Sequence, residues 1–363
     1  MLELIFLFII IGYFFQSFIF VLGARKKYPR ISDDKLPTAT IIVAARNEEE
    51  KILRTLKSLD KLEYPEGKLQ IILVDDQSTD STGKIIDDFI IGKSRFQKIT
   101  TEEHHTKLIG KMRALSYGIK VANGEIILTT DADCEVKPLW AKTLCSYYQD
   151  DVAIVTGITT QVADNWFWGM QAIDFVYLLT AGAGTTNLNF PISCIGNNMS
   201  YRKSAYDEVG GYENLPHSVT EDFTLMNAIY NLKKYKVIFP VDENTLVTSI
   251  PCRTVKSLFS QKKRWGVGGL GVPFRGFVIM FWGFTANLLV LLTPFFFSTA
   301  WLYLVAFKIA LDFFLLYPVH VKLGIVKNIK YFFHFEVYYL IYVILLPFIV
   351  LPSKKVVWKG REY

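Results

Sequence analysis

The stretch EIILTTDADC, residues 125–134, combines the two features from which the fold of this chain follows. Its first half is typical of a buried strand, and the carboxylates Asp131 and Asp133 come at the carboxyl end of that strand. Ligands of open α/β sheets bind at this edge. Two carboxylates so close together repel each other, and a hard divalent cation that bridges substrate phosphates relieves the repulsion. Aspartates after a strand are also ordinary turn chemistry, so the pattern needs support from the rest of the chain.

The composition indicates a soluble domain joined to membrane segments. Of the 363 residues, 51% are hydrophobic and 15% aromatic, and the mean hydropathy is +0.26, which is too apolar for a purely soluble protein. The charged share of 20% is too high for a purely membranous protein. The four cysteines show no metal-binding or disulfide spacing, which predicts reduced thiols in a cytoplasmic domain.

The net charge of +6 is concentrated beside the apolar segments. The basic residues at these flanks are Arg25, Lys26, Lys27, Arg30, Lys354, Lys355, Lys359 and Arg361. This placement predicts contact with lipid headgroups and a defined orientation in the membrane, and it gives no reason to expect a nucleic-acid partner. The sequence does not identify a protein partner.

Residues 1–24 are predicted to form an N-terminal transmembrane anchor. The run Leu4–Leu22 is nearly uncharged and would be about 30 Å long as a helix, enough to span a bilayer. Glu3 precedes the run and several basic residues follow it, so the positive-inside bias places the N-terminus outside and residue 25 onward in the cytoplasm. A cleaved signal peptide would carry positive charge before the apolar run.

From Leu36 the pattern changes to strands that alternate with amphipathic helices. The predicted strands are Thr38–Ala45, Leu69–Val74, Glu125–Thr130 and Val152–Thr156, and the predicted helices are Glu49–Leu59, Asp80–Ile91 and Lys111–Val121. This alternation predicts an α/β domain of Rossmann-like type, with a mostly parallel sheet and helices on both faces.

Polar residues follow several of these strands. Arg46–Glu48 comes after the first strand, and Asp75–Asp80 comes after the second. The latter run also suits a helix N-cap, and both interpretations are compatible because the loop lies at the ligand edge. Gly110 and Lys111 open a helix whose free N–H groups suit a phosphate, although a single such lysine is often only a solvated charge.

These segments together resemble family 2 glycosyltransferases, which have the GT-A nucleotide-sugar fold. The matching motifs, in the order of the family, are Ala45–Glu48, Val74–Asp80, Gly110–Lys111, Thr130–Asp133, Gly196–Arg202, Gly210–Tyr212, Thr220–Asp222 and Gln261–Trp265. The last is similar to the QxxRW box of cellulose, chitin and hyaluronan synthases and of ceramide glucosyltransferases. The resemblance covers residues 38–265 and implies a catalytic domain at 36–265 with interfacial helices.

The resemblance implies inverting transfer of a sugar from a nucleotide diphosphate sugar to an acceptor hydroxyl, with UDP as the expected nucleotide. Glu48 and Asp76 would accept hydrogen bonds from the base and the ribose, and Lys111 would lie near the nucleotide as a point charge. Asp131 and Asp133 would hold Mg²⁺ or Mn²⁺ against the diphosphate, and Asp131 would also contact the nucleotide.

Four further residues have catalytic roles by the same resemblance. Asp222 would be the general base that takes the proton of the acceptor hydroxyl. Arg264 would neutralise the departing diphosphate, and Trp265 would present a flat face to a sugar or acceptor. Gln261 opens this box and belongs to the catalytic set. Residues 261–265 also suit a basic amphipathic helix on the membrane surface, which is compatible with these roles.

Three apolar segments follow the predicted catalytic domain and define a membrane region at residues 277–352. The spans are expected at Phe277–Phe297, Ser298–Pro318 and Tyr331–Leu351. Lys308 and Asp312 lie four residues apart in the second span, and we expect them to pair because isolated charges are costly in a membrane.

Three other segments lie outside the strands, helices and membrane spans named so far. Trp166–Leu179 is either an interfacial helix that opens the acceptor side to lipid or part of a packed core, and Gly266–Gly271 is predicted to be a hinge. The tail, residues 353–363, is basic and argues for the cytoplasm, whereas three complete spans would place it outside. A re-entrant or interfacial last helix would reconcile the two.

The sequence therefore predicts a multi-pass enzyme of the inner or plasma membrane with a cytoplasmic catalytic domain. Its acceptor is expected to be a lipid or lipid-like hydroxyl, because the apolar segments are few for an enzyme that threads a polymer through a helical pore. A processive polysaccharide synthase with a glycan acceptor is the alternative, since both groups share the QxxRW box. An inactive nucleotide-sugar-binding membrane scaffold is a third hypothesis, but such a protein has no need of the full acidic set.

Overall fold

The computed structural model describes residues 2–102, 108–216, 218–353, 355, 357–358 and 361–362. The chain forms two compact units. The sheet unit contains residues 26–160 and 193–250, and the helical unit contains residues 1–25, 161–192 and 251–363. Residues 161–192 and 251–265, which lie within the predicted catalytic domain, thus belong to the helical unit.

Twelve strands are present among the described residues. They are β1 Ala39–Ala45, β2 Leu69–Asp75, β3 Phe96–Thr100, β4 Ile126–Asp131, β5 Cys134–Glu135, β6 Val152–Thr156, β7 Thr159–Gln161, β8 Met199–Arg202, β9 Lys236–Ile238, β10 Val247–Ser249, β11 Val357–Trp358 and β12 Arg361–Glu362. Seven of them form one sheet in the order β3-β2-β1-β4-β8-β6-β9. The pairs β1–β2, β1–β4, β2–β3 and β6–β9 are parallel, so the predicted mostly parallel sheet is confirmed.

Twelve α-helices are present in the same part of the chain. They are α1 Leu2–Ala24, α2 Ile52–Asp60, α3 Thr82–Ile90, α4 Gly110–Lys120, α5 Trp140–Ser146, α6 Trp166–Thr186, α7 Lys203–Glu208, α8 Glu221–Asn231, α9 Val255–Gly269, α10 Phe274–Leu291, α11 Thr299–Lys322 and α12 Phe332–Val350. All seven elements predicted after Leu36 occur within a few residues of their expected bounds, whereas the other strands of the seven-stranded sheet, β3, β8 and β9, were not predicted.

The alternation of side chains along β1 explains why the sheet is covered on both faces. Ile41 and Val43 point into a core that also contains Leu56 of α2. Ile42 points to the opposite face, into a core that also contains Leu115 of α4. Successive strand residues point to opposite faces, so a strand that is apolar at every position is buried on both sides.

Helix α2 begins three residues later than the sequence pattern predicts, because the preceding residues hold two loops together. The backbone N–H of Glu49 donates to Asp80, and the Glu49 carboxylate accepts from the N–H of Ser81 at 2.9 Å. The carbonyl of Glu48 accepts from the N–H groups of Lys51 and Ile52, both at 2.9 Å. The loop after β1 is therefore fixed against the loop after β2.

The helical unit contains four helices that are long and apolar enough to cross a membrane. They are Leu2–Ala24, Phe274–Leu291, Thr299–Lys322 and Val326–Val350. Phe6, Tyr13 and Trp301 are almost fully buried in this unit. A Cβ added at Gly23 of α1 or Gly184 of α6 would collide with the backbone of the other helix, so these glycines permit the two helices to approach closely.

The structure decides two sequence predictions for the helical unit, one for α6 and one for the glycines at the end of α9. Helix α6 is packed in a core, with Ile173 and Val176 fully buried, so the core alternative is correct for most of its length. The predicted hinge at Gly266–Gly271 is wrong, because α9 continues as a helix to Gly269. A Cβ added at Gly266 would lie 2.7 Å from the Val350 side chain, so this glycine permits close packing against α12.

A buried cluster of charged and hydroxyl groups joins helices of this unit. The predicted pair is confirmed: Lys308 Nζ lies 2.7 Å from Asp312 Oδ2. The same ammonium lies 2.9 Å from Glu336 Oε2 of α12, and the Tyr13 hydroxyl donates to Asp312 Oδ1 at 2.5 Å. Lys308 therefore offsets the charge of two carboxylates inside the unit.

Of the predicted basic tail, Lys354 and Lys359 lie outside the described residues.

Replacing Lys308 with Met should destabilise the helical unit by about 3–5 kcal/mol, because it leaves Asp312 and Glu336 buried without their cation. Thermal unfolding of the purified protein in detergent measures the loss. Lys327→Met, at an exposed lysine between α11 and α12, should change the stability by less than about 0.5 kcal/mol. Equal thermal stability of Lys308→Met and wild type would show that the cluster contributes nothing.

Candidate active site

The acidic residues predicted from sequence gather at one edge of the seven-stranded sheet. In the parallel pairs, Ala45 of β1 lies beside Asp75 of β2, and Ala44 lies beside Asp131 of β4. The carboxyl ends of these three neighbouring strands therefore coincide. The loops that follow them carry the predicted acidic positions at the edge where α/β sheets bind ligands.

Asp131 and Asp133 form a compact group of oxygen ligands. Ligand atoms of these two residues and of Cys134 lie within 4.8 Å of one another. Burial, together with the charges of Asp131 and Glu48, raises the pKa of Asp133 to about 6. Burial raises the pKa of the Cys134 thiol, so the sulfur stays protonated and is a weak ligand. The two crowded carboxylates fit a hard divalent cation such as Mg²⁺ or Mn²⁺.

Lys111 connects this group to the first turn of α8. Its Nζ lies 2.7 Å from Asp131 Oδ1 and 3.1 Å from Glu221 Oε1. Burial alone would lower the pKa of Lys111, but the charges of Asp131 and Glu221 raise it above its ordinary value. The lysine is therefore a fixed cation between carboxylates at two ends of the site. Its predicted contact with a nucleotide stays a prediction.

Asp222 lies beside this lysine, at the start of α8. Its Oδ1 accepts a hydrogen bond from the N–H of Phe223 at 2.8 Å. A Cβ added at Gly196 would lie 3.2 Å from both Asp222 Oδ2 and Lys111 Nζ, so the glycine leaves room for this approach. Burial and the adjacent Glu221 raise the pKa of Asp222 to about 6, against the opposing effect of Lys111. A carboxylate with this pKa is well suited to accept a proton near neutral pH.

Asp76 and Glu48 lie at the expected edge, and both already have protein partners. Asp76 Oδ1 accepts from the Thr101 hydroxyl at 2.8 Å and from Arg113 Nη2 at 2.5 Å. Glu48 Oε2 lies 3.1 Å from Lys51 Nζ. These contacts orient the two carboxylates, while the proposed hydrogen bonds to base and ribose stay predictions. Arg113 was missed, because nothing in the sequence connects it to an aspartate 37 positions earlier.

The Gly196–Asn198 motif connects several elements around the site through hydrogen bonds. Thr129 of β4 donates to the carbonyl of Gly196 at 2.7 Å. Asn198 accepts from the indole N–H of Trp140 at 2.9 Å and donates to the carbonyl of Thr245 at 2.8 Å. These bonds fix the strand that ends in Asp131 to the segment that packs against Asp222.

Gln261, Arg264 and Trp265 lie on α9, in the helical unit. The ring of Trp265 packs edge-to-face against Phe175, with ring centroids 4.9 Å apart. The ammonium of Lys262 lies over the same ring, 4.3 Å from its centroid. Lys262 therefore occupies one face of the indole, and this face is closed to the predicted sugar contact. The catalytic roles of these three residues stay predictions.

Two protein-family models match the chain. The model described as "Glycosyl transferase family 2" matches residues 40–210. The model described as "Glycosyl transferase family group 2" matches residues 126–351, which is more than half of the chain. The two matches together include the carboxyl ends of β1, β2 and β4, the Gly196–Asn198 motif and helix α9.

Several known proteins are similar in sequence. "Probable glycosyltransferase YdaM" of Bacillus subtilis is 27% identical over 306 residues, which cover 81% of this chain and 70% of that protein. A beta-monoglucosyldiacylglycerol synthase of Nostoc is 28% identical over 262 residues, 69% of this chain and 52% of the synthase. A poly-beta-1,6-N-acetyl-D-glucosamine synthase of Staphylococcus epidermidis is 27% identical over 270 residues, 73% of this chain and 63% of that enzyme. This chain thus spans about half the length of the Nostoc relative.

A solved structure shares the fold. The mannosyltransferase PcManGT from Pyrobaculum calidifontis, in complex with GDP-Man and Mn²⁺, has a TM-score of 0.61 with this chain at 17% identity. The superposition covers 93% of this chain and 99% of that one. At this identity the likeness establishes a common architecture.

Proposed function

The chain belongs to glycosyl transferase family 2 and has the GT-A fold, and we propose that it transfers a sugar from a nucleotide diphosphate sugar to a hydroxyl of a membrane lipid. The observation that carries the proposal is the link made by Lys111 between two acidic groups. Asp131, at the sheet edge, is suited to the donor phosphates, and Asp222 is suited to deprotonate an acceptor. Lys111 contacts the first and lies beside the second, so both acidic groups belong to one site.

The donor is expected to be a UDP-sugar held at the carboxyl ends of β1, β2 and β4. Glu48 and Asp76 would accept hydrogen bonds from base and ribose, and their contacts with Lys51 and Arg113 hold them in place for this role. The Pyrobaculum structure contains GDP-Man and Mn²⁺, so a GDP-sugar is the natural second donor to test. Asp131 and Asp133 would hold Mg²⁺ or Mn²⁺, which when bound supplies positive charge to the diphosphate leaving group.

The reaction is one in-line displacement with inversion at the anomeric carbon. A bond forms from the acceptor oxygen to this carbon, and the bond from the carbon to the diphosphate oxygen breaks. The Asp222 carboxylate takes the proton from the hydroxyl of the acceptor. Its raised pKa of about 6 suits it to this role near neutral pH. Arg264 would neutralise the departing diphosphate, and Trp265 would present a flat face to a sugar or acceptor. Gln261 belongs to the same proposed catalytic set.

Packing in the helical unit supports a lipid acceptor over a growing polymer. Phe6, Tyr13 and Trp301 fill the space among α1, α10 and α11, and the first and last rings lie 4.6 Å apart. A polymer that passed among these helices would have to displace their buried side chains. The sequence relatives include both a glucosyldiacylglycerol synthase and a polysaccharide synthase, so a processive synthase is the second candidate.

The proposed orientation places the sheet unit in the cytoplasm. Arg25, Lys26 and Lys27 follow α1, and the connection from α11 to α12 carries Lys327 and Lys330. The connection from α10 to α11, residues 292–298, has no charged residue. Both basic segments are placed inside by the positive-inside rule if the N-terminus and residues 292–298 face outside.

Single cysteines test this orientation with an impermeant maleimide on intact cells. Lys27→Cys and Lys327→Cys should react only after the membrane is opened, because both positions are exposed and lie on the side proposed to face the cytoplasm. Phe295→Cys, which is 78% exposed in the native structure, should react without permeabilisation and serves as the matched control. Reaction of Lys27→Cys from outside would reverse the orientation.

Purified full-length protein tests the activity. Lipid nanodiscs that contain diacylglycerol are incubated with UDP-glucose, UDP-galactose, UDP-N-acetylglucosamine or GDP-mannose, and both free nucleotide and lipid products are measured. Nucleotide release together with a lipid heavier by the one sugar residue of that donor is expected with at least one donor. A ladder of sugar additions would favour the processive synthase. No release with any donor would support an inactive scaffold and contradict the proposal.

A further inference from the structure

A buried ion pair joins α9 to α6 within the Gln261–Trp265 motif itself. Lys262 is 4% exposed and Asp174 is fully buried. The Lys262 ammonium donates a hydrogen bond to Asp174 Oδ2. A buried ammonium and carboxylate are costly apart, so the pair fixes the place where the two helices meet.

Aromatic rings surround the same ammonium and narrow its position further. The Lys262 Nζ lies 4.3 Å from the ring centroid of Trp265 and 4.9 Å from that of Tyr342 on α12. Tyr338 and Phe175 lie farther away, at 5.9 and 6.0 Å. A cation over an aromatic face within about 6 Å is attracted by the ring quadrupole. Side chains from α6, α9 and α12 thus hold one ammonium in a single place.

Because Lys262, Arg264 and Trp265 lie on one rigid helix, the position of Lys262 also determines the directions of the other two side chains. Lys262 and Trp265 are three residues apart and share one face of α9, whereas Arg264 is rotated from Lys262 by about 200° and lies on the opposite face. Rotation of α9 about its axis would therefore move Arg264 and Trp265 together. The anchored Lys262 prevents that rotation.

We propose that Lys262 and Asp174 are positioning residues for sugar transfer, which set the rotation of α9 and thereby the placement of Arg264 and Trp265. This inference rests on the proposed function, which gives the latter two residues their roles. Lys262 also covers one face of the Trp265 ring, so that face is closed to a sugar or acceptor. In this proposal both members of the pair act through Arg264 and Trp265.

A double variant, Lys262→Met with Asp174→Leu, tests the proposal. It removes both charges, so no unpaired charge is left in the core, and such replacements of buried ion pairs are often neutral for stability. We expect a melting temperature close to wild type in detergent, with kcat at saturating donor and acceptor lowered roughly ten- to a hundredfold by misplacement. If the pair served only stability, the double variant, with its melting temperature close to wild type, would also have a kcat close to wild type.

Two further variants complete the test. Asp174→Glu keeps both charges but moves the carboxylate by one methylene, and it should lower kcat while the protein stays folded. Lys256→Met, at an exposed lysine of α9 outside the Gln261–Trp265 motif, should keep the wild-type kcat. Wild-type kcat in both the double variant and Asp174→Glu would overturn the inference while leaving the proposed function intact. Wild-type protein that transfers no sugar in the same assay would overturn both.

Discussion

Asp222→Asn should lower turnover at least about a hundredfold while the affinity for UDP stays close to wild type. Asparagine keeps the shape of the side chain, and its carbonyl can still accept from the N–H of Phe223, the 2.8 Å bond that Asp222 makes. It cannot accept the proton of the acceptor hydroxyl. Loss of a general base costs 10²–10⁴-fold, which is about 3–5 kcal/mol of barrier. Product formation at saturating donor and calorimetric titration with UDP measure the two quantities.

The pH dependence of turnover supplies an independent check on Asp222. The base acts only as a carboxylate, and its pKa is raised to about 6 by burial and by Glu221. Wild-type turnover should therefore fall as the pH is lowered through about 6 and stay constant above it, and the residual turnover of Asp222→Asn should lack this step.

The matched control for this variant is Asp207→Asn, at an exposed carboxylate of α7 in the same unit, which should keep the wild-type turnover and pH profile. Turnover of Asp222→Asn within a few-fold of wild type would eliminate Asp222 as the base, and Glu221 would be the next candidate. Equal losses of UDP affinity and turnover would instead place Asp222 in the nucleotide site.

Asp131→Ala should abolish measurable transfer, and EDTA should do the same to the wild type. A bound divalent ion contributes several kcal/mol to stabilising a diphosphate leaving group, so its loss corresponds to roughly a thousandfold in rate or more. Asp133→Asn should lose the part of UDP affinity that depends on Mg²⁺ or Mn²⁺, because one of the two oxygen ligands at this edge becomes a neutral amide. Calorimetric titration with UDP, in Mn²⁺ and in EDTA, measures this part without requiring turnover.

Cys134→Ala is the control for the metal experiments. The thiol lies close to both aspartates, but its raised pKa keeps it protonated, so its removal should leave the Mn²⁺-dependent UDP affinity unchanged. Full activity in EDTA would remove the metal from the proposal. Normal turnover of Asp131→Ala would contradict the assignment of the entire site.

The sequence predicts the sheet edge well because its signals are local. The strand that ends in Asp131 is apolar at consecutive positions, and β1, β2 and β4 pair in parallel with their carboxyl ends together. Any acidic residue just after such a strand must lie at that edge. The Lys308–Asp312 pair is equally local, since four residues make one turn of a helix.

The contacts that orient the site are not predictable in this way, because they join residues far apart in the chain. Arg113 of α4 reaches Asp76 in the loop after β2, and Lys111 bridges Asp131 and Glu221, which are 90 positions apart in the sequence. The continuation of α9 through its glycines has a similar cause. Gly266 normally weakens a helix, but here it allows α9 to pack against Val350 of α12.

The anomeric configuration of the product is the most direct test of the central claim, that Asp222 and the Asp131 edge transfer a sugar in one displacement. Wild-type protein is supplied with the α-linked donor that releases nucleotide, and the glycolipid product is examined by proton NMR through its anomeric coupling. The account predicts a β-linked sugar from wild type and at least about a hundredfold less product per unit time from Asp222→Asn. An α-linked product, which requires retention, would contradict a mechanism with a single general base.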